Sequence, residues 1–207
     1  KETHYASVKD SEKEGLAIIH QELALSPYLS IYENIFLGHM KTRMGIINWD
    51  KYILESKKYL DQVGLHENPA TVVSKLGVGK QQLVEIARAL SKQVELLILD
   101  EPTSSLNDEE SEKLLDFILE LKKRGITSIM ISHKLKEVLK IADTVTILRD
   151  GKSISTWDVK KDSLTEQMII KDMVGRELGA QYQKTPVQIG ETLFEVKDWT
   201  VFHPDYH

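Results

Sequence analysis

Leu96-Leu97-Ile98-Leu99-Asp100-Glu101-Pro102-Thr103 sets the reading of this chain. Its apolar run predicts a central parallel strand covered on both faces, where no position meets water. Two adjacent carboxylates close that strand. Like charges at this spacing repel, and a buried strand end withholds the water that would screen them, so a cation or hydrogen-bond donors must compensate. A divalent metal would do so. Asp100 would then hold the metal, through one of its waters, and Glu101 would orient and deprotonate an attacking water. The competing explanation is a strand that ends in an acidic loop.

Outward from this stretch, strand and helix patterns alternate, which predicts a layered α/β fold. Upstream, Ser7 caps a short helix ending at Gly15, and Leu16-Ala17-Ile18-Ile19-His20 reads as a buried strand. Ser30-Ile31-Tyr32-Glu33 is a capping box for a short helix that stops at Gly38. A longer helix runs from about Trp49, capped by Asn48 and ended by Gly64, with Tyr52, Ile53, Tyr59 and Leu60 on one apolar face. Residues 79 to 92 read as a further helix. Downstream, a helix from about Asp108 to Arg124 ends at Gly125, and Thr127-Ser128-Ile129-Met130-Ile131 repeats the buried-strand pattern. A helix over about Lys136 to Ile141 leads to Val145-Thr146-Ile147-Leu148. The Asp150-Gly151 turn and Ser153-Ile154-Ser155 then predict an antiparallel hairpin at the side of the sheet. Ser163-Leu164-Thr165-Glu166 reads as a second capping box, for a helix through about Val174.

Composition narrows the functions. The 207 residues carry 27 basic and 32 acidic side chains, a net charge of −5. That balance offers no basic face for nucleic acid. Any phosphate must be held by local geometry. With no cysteine, disulfides and thiolate metal sites are excluded. No apolar run approaches the roughly 18 residues a membrane-spanning helix needs, and Lys1-Glu2-Thr3-His4 has no signal-peptide pattern.

Three further features complete the pattern. Gln21 directly follows the strand ending at His20, and His133 follows the strand ending at Ile131. Leu76-Gly77-Val78-Gly79-Lys80-Gln81-Gln82 opens a helix with a glycine-containing turn, where exposed amides and the helix dipole favour an anion. In this order the motifs resemble the nucleotide-binding subunit of ATP-binding cassette transporters, over about residues 1 to 176. The resemblance implies a partial P-loop NTPase-like α/β domain, with a mainly parallel core sheet and a helical subdomain over about 22–92. Its cofactors would be ATP and Mg²⁺. Gln21 would touch the Mg²⁺ or its water, and the segment after it would dock on the membrane subunit. His133 would donate to the γ-phosphate and hold the attacking water with Glu101.

The family's common signature loop is Leu-Ser-x-Gly-Gln, whose serine contacts the γ-phosphate of ATP bound by the opposing cassette. Here Leu76, Gly77, Val78, Gly79 and Lys80 occupy it, so the serine hydroxyl is lost, the backbone amides remain and Lys80 adds a positive charge. Ser105 and Asn107 stand in the loop that would cross to the partner cassette, although Asn107 reads equally well as a helix cap.

No G-x-x-x-x-G-K-[ST] loop occurs in the sequence. Gly151-Lys152-Ser153 leads into a strand instead of opening a helix. The resemblance places the missing loop, and the aromatic that stacks on adenine, upstream of Lys1, so this piece is expected to be inactive alone. Residues 177–190 read as a linker, and Leu193-Phe194-Glu195-Val196 as the first strand of a second nucleotide-binding domain over 191–207. Glu22-Leu23-Ala24-Leu25-Ser26-Pro27, Glu33-Asn34-Ile35-Phe36-Leu37-Gly38 and Met173-Val174-Gly175-Arg176-Glu177-Leu178 resemble monosaccharide importers of the ribose, galactose and xylose type. The Leu76–Lys80 variant resembles the xylose or multiple-sugar branch.

Implied partners are membrane-spanning permease subunits, a second cassette of the same or another chain and, indirectly, a sugar-binding protein, with no nucleic acid. The implied location is peripheral, on the cytoplasmic face of the membrane. Two alternatives stand beside this reading. A non-catalytic or regulatory cassette is favoured by Gly77 and Lys80 but opposed by Asp100, Glu101 and His133. A soluble cassette protein acting on ribosomes or DNA would show coiled-coil insertions or a basic arm, and the sequence has neither.

Overall fold

A computed structural model describes residues 4–40, 42–43, 46–175 and 194–200. In chain order it has helix α1 (Val8–Lys13), strand β1 (Leu16–Ile19), helix α2 (Ile31–Phe36), and the short strands β2 (Thr42–Arg43) and β3 (Ile46–Ile47). Helix α3 (Trp49–Gln62), a 3-10 turn (Val73–Lys75), helix α4 (Val78–Leu90), strand β4 (Leu96–Asp100) and helix α5 (Asp108–Lys123) follow. Strand β5 (Thr127–Ile131), helix α6 (Leu135–Ile141), strands β6 (Thr144–Arg149) and β7 (Lys152–Asp158) and helix α7 (Glu166–Val174) complete it.

The apolar run does form the middle strand. Among the described residues β1, β4 and β5 make a parallel sheet in the order β1-β4-β5. Ile19 sits beside Leu99, and Asp100 beside Ile131. Because all three strands run the same way, their carboxyl ends share one sheet edge. Gln21, Asp100, Glu101 and His133 all stand at that edge.

Burial corrects the expectation of strands covered on both faces. Leu97 and Leu99 are fully buried, packed with Val84 and Ile86 of α4 and Leu114, Ile118 and Leu121 of α5. Their neighbours Leu96 and Ile98 are only half-buried. β1 buries Ile19 alone, and β5 leaves Ile129 and Ile131 about half exposed, at 48% and 52%. One face of the sheet therefore meets the helices, while the other is partly open. A groove of about 990 Å³ separates the outer side of β5 from the β6–β7 hairpin, lined by Ile129, Ile131, Val145, Ile147 and Met173.

The hairpin is a separate two-stranded sheet. Asp150 (φ +52) and Gly151 (φ +74) turn it, the two positive φ values that a tight right-twisted hairpin requires. Gly151-Lys152-Ser153 thus runs into β7, as its sequence context implied.

Helices α2, α3 and α4 pack on one another through Ile31, Ile35, Tyr52, Leu60 and Val84. The capping box is formed as read. The Glu33 N–H donates to Ser30 Oγ (3.4 Å), and the Ser30 N–H donates to Glu33 Oε2 (2.8 Å). Asn48 caps α3 through the Lys51 N–H (3.0 Å).

The second box is corrected. Ser163 has φ +49 and lies outside the helix, while Thr165 is the cap, its hydroxyl accepting from the Met168 N–H (3.4 Å). Glu166 is the first helical residue, too early to reach back to the cap. Phe194–Val196 forms no strand among the described residues; Phe194 (83%) and Trp199 (77%) are exposed, and no described strand pairs with the segment. The proposed linker and the rest of the proposed second domain lie outside the described residues.

Candidate functional site

Glu101 leaves β4 with φ +45, a left-handed conformation that residues other than glycine adopt rarely. Its N–H donates to the carbonyl of Ile131 (2.9 Å), extending the β4–β5 pairing past the strand end. The reversal brings its carboxylate to the end of β5, where His133 Nδ1 lies 3.0 Å from Glu101 Oε1. With the proton on Nδ1, the ring donates to the carboxylate and keeps Nε2 for another partner. The His133 side chain is 64% exposed and that of Glu101 28%, so the pair faces solvent from a fixed base. Gln21 is exposed just past β1.

A hydrated Mg²⁺ held on nucleotide phosphates needs only one or two protein carboxylates. Asp100 fits that need: it is half-buried at the strand end, and no described residue pairs with its carboxylate. Among the described residues no group of three or more His, Asp or Glu could hold a metal unaided. The donors available, a carboxylate and the amide of Gln21, are oxygen ligands of the kind a hard cation takes.

Among the described residues no hydrogen bond or ion pair joins the Leu76–Lys80 turn to Gln21, Asp100, Glu101 or His133. Gly77 is the N-cap of α4, with φ −65 and open space where a Cβ would stand. Gly79 is the crowded position: a Cβ there would lie 2.5 Å from Glu110 Oε1. Lys80, which adds a positive charge to this turn, is paired there with Glu67, its Nζ 2.6 Å from Glu67 Oε1 and its side chain 54% exposed. Leu76 and Val78 flank the turn, Leu76 buried and Val78 43% exposed. Of the two readings of Asn107, the structure displays the cap. Its Oδ1 accepts from the Glu110 N–H (2.9 Å), and Glu110 returns the bond to the Asn107 N–H (3.3 Å). Ser105 is exposed in the turn before it.

A clamp on the chain after Gln21 was invisible in the sequence. Glu85 of α4 accepts from the Ala24 N–H (2.6 Å), and Arg88 donates to the Ala24 carbonyl (3.0 Å). Glu85 is buried, with its Oε2 unpartnered. Burial pushes its carboxyl above the usual glutamate range, opposed by the Ala24 bond and by Arg88 and His20. The only sequence signal was two charged residues, Glu85 and Arg88, inside the otherwise apolar Leu83–Leu90 stretch.

The family model for ABC transporter matches residues 1–104, just over half of the chain, and this protein belongs to that family. The L-arabinose transport ATP-binding protein AraG of Geobacillus stearothermophilus is 59% identical over 202 residues, covering 98% of this chain and 39% of AraG. The xylose import ATP-binding protein XylG of Thermoanaerobacter pseudethanolicus is 50% identical over 198 residues, 96% of this chain and 39% of that protein. This chain therefore spans about two-fifths of the length of these relatives.

Among solved structures, the ADP conformation of MJ1267, an ATP-binding cassette of an ABC transporter, gives a TM-score of 0.67 at 22% identity, over 81% of this chain and 71% of that one. The dimeric post-hydrolysis state of the ATP-binding cassette MJ0796 gives 0.63 at 22%, over 74% and 68%. At these identities the likeness establishes the fold, the α/β P-loop NTPase-like cassette.

Proposed function

We propose that this chain is the γ-phosphate and coupling part of an ATPase subunit that energises monosaccharide import. The Glu101–His133 contact at the carboxyl edge of the sheet carries the reading. In it Asp100 and Gln21 hold the hydrated Mg²⁺ of Mg·ATP. Glu101 takes a proton from water as the water oxygen attacks the γ-phosphorus. The bond to the β–γ bridging oxygen breaks, giving ADP and phosphate, while His133 steadies the γ-phosphoryl oxygens.

The Leu76–Lys80 turn would serve ATP held by an opposing cassette through its backbone amides. The same assembly would contain membrane-spanning permease subunits, with this chain bound peripherally to them on the cytoplasmic face. Among the described residues no helix is long and apolar enough to cross the membrane. AraG and XylG are named for L-arabinose and xylose, so a pentose is the sugar class we propose. The absence of a phosphate-cradling loop from the sequence leads us to propose little or no ATP turnover by these 207 residues alone. A non-catalytic cassette is the second reading, favoured by the absence of a hydroxyl at Gly77 and the pairing of Lys80 with Glu67.

ATP hydrolysis by this chain, beside a version extended upstream, tests the proposal. The extended protein should hydrolyse ATP and lose that activity on Glu101→Gln. Hydrolysis by the 207-residue chain, abolished by the same change, would overturn the claim of incompleteness. Undiminished hydrolysis by extended Glu101→Gln would overturn the role of the pair.

A further inference from the structure

Thr103 is 1% exposed, yet it carries a hydroxyl that the hydrolytic reading does not use. That hydroxyl donates to Glu137 Oε2 at 2.6 Å, and the Thr103 carbonyl accepts from Lys134 Nζ at 2.8 Å. Lys134 and Glu137 are themselves paired at 3.3 Å, with side chains 34% and 14% exposed. Both belong to the stretch that follows His133: Lys134 is the N-cap residue of α6, and Glu137 lies in its first turn. A further bond from the Lys134 N–H to Ser132 Oγ (3.0 Å) ties down the chain on the other side of the histidine.

The two halves of the catalytic pair thus stand on segments joined behind them. On one side is the turn Glu101-Pro102-Thr103, on the other Ser132-His133-Lys134 and the start of α6. Glu101 needs such support. A left-handed conformation at a residue with a side chain persists only where its surroundings over-determine it. Backbone bonds hold the turn itself, from Glu101 N–H to the Ile131 carbonyl (2.9 Å) and from Ser104 N–H to the Glu101 carbonyl (3.1 Å). The Thr103 side-chain bond and the Lys134 bond to its carbonyl tie that turn to the segment carrying His133. A buried hydroxyl bonded to a carboxylate is also costly to leave half-made, so the contact resists sliding between the two segments.

We propose that Thr103, Lys134 and Glu137 are positioning residues that hold Glu101 against His133. The inference rests on the hydrolytic reading of that pair given above.

The test uses the full-length protein with its membrane subunits. Thr103→Val keeps the size of the side chain and removes the donor, while Thr103→Ser keeps the donor. Displacement of a reacting group by a fraction of an ångström is costly, so Thr103→Val is expected to lower kcat for ATP by about tenfold or more. KM and nucleotide binding, read with trinitrophenyl-ATP, should stay within about twofold, and Thr103→Ser should restore kcat. Glu137→Ala, which also removes the Lys134 pair, should lower kcat at least as far as Thr103→Val, and the double variant should be no slower than Glu137→Ala, since the Thr103 change then removes no further bond. If the buried variant does not fold, Lys134→Met removes the donor to the Thr103 carbonyl at a partly exposed site. The same fall in kcat is expected from it. Normal kcat in Thr103→Val, or in Lys134→Met where that variant replaces it, with Glu101→Gln inactive, overturns the positioning role alone. Normal hydrolysis by Glu101→Gln overturns the pair and this inference with it.

Discussion

Asn34 offers the sharpest test of how the chain between β1 and α2 is held. Its side chain is fully buried. Oδ1 accepts from the Ser26 N–H at 2.7 Å, and Nδ2 donates to the carbonyls of Ser26 and Ser30 at 3.0 Å, with that of Leu29 at 3.3 Å. One amide therefore ties the Ser26–Ser30 loop to the helix that follows it. Asn34→Ala removes these bonds. The carbonyls of Ser26 and Ser30 keep backbone partners in Leu29 and Asn34, but the Ser26 N–H is left without its acceptor. At about 1 kcal/mol for each net bond, and 1–3 for a buried donor left unmade, the loss is about 4 kcal/mol. The better helix propensity of alanine returns only about 0.5 kcal/mol.

Native-state hydrogen exchange of the α2 amides reads this local free energy directly. The net loss of about 3.5 kcal/mol should lower protection at Ile35 and Phe36 about three hundredfold, since each 1.4 kcal/mol is about tenfold. Asn34→Asp should fall further, because its charge would face carbonyl oxygens. Protection within tenfold of the parent in Asn34→Ala would refute the claim that this side chain anchors the loop.

Four other outcomes follow from other parts of the structure. Gly77→Ser enters open space at a cap position with ordinary φ, so it should stabilise α4 by a few tenths of a kcal/mol, about 0.3, and in the full-length protein leave ATPase activity intact or raised; a collapse of that activity would show that Gly77 is needed for backbone geometry. Gly79→Ala would push the Glu110 carboxylate off the Asn107 cap, a cost of about 1 kcal/mol that offsets the similar gain in helix propensity, so it should be no more stable than the parent; a thermal melt raised by several degrees would contradict this. Glu85 is raised in the fold by burial, so the folded state binds its proton more tightly, and stability falls as pH rises from the ordinary glutamate value through the raised one. The stability of Glu85→Gln relative to the parent should therefore improve across that window, measured by denaturant unfolding at several pH values, and a flat difference would contradict it. Asp172 is lowered by hydrogen bonds from Ser155 and then Trp157, so its contribution is present above the ordinary aspartate value and is lost as pH falls through the lowered one. The Trp157 indole N–H resonance should titrate with a midpoint below the usual aspartate range, and Ser155→Ala should move it upward.

Local chemistry explains which features could be read in advance. Ser30 and Glu33 stand three residues apart, Asn48 precedes a helical period, and Asp150-Gly151 supplies the two positive φ values of a tight hairpin. Each of these depends on neighbours in sequence, and each is present. The candidate pair was legible because a carboxylate after one parallel strand and a histidine after the next are carried to the same edge. Failures came where the partner is distant. An apolar run such as Thr127–Ile131 shows that a strand is wanted, but says nothing of what covers its second face. Glu67, the partner of Lys80, and Glu137 and Lys134, the partners of Thr103, stand 13 to 34 residues away in sequence and leave no local sign. Ser163 misled because its spacing to Glu166 imitates a box that its own backbone angle forbids.

The outer side of β5 bears on how this polypeptide behaves in quantity. Thr127-Ser128-Ile129-Met130-Ile131-Ser132 has no charge, proline or glycine, and β5 ends the three-stranded sheet among the described residues. A flat, half-exposed strand of that composition is a template for another copy of itself. Lys122, Lys123 and Arg124 before it, and Lys134 after it, place positive side chains at both ends of such a stack and oppose its growth. Salt screens that repulsion, so concentrated solutions at high ionic strength are where self-association through this edge should begin.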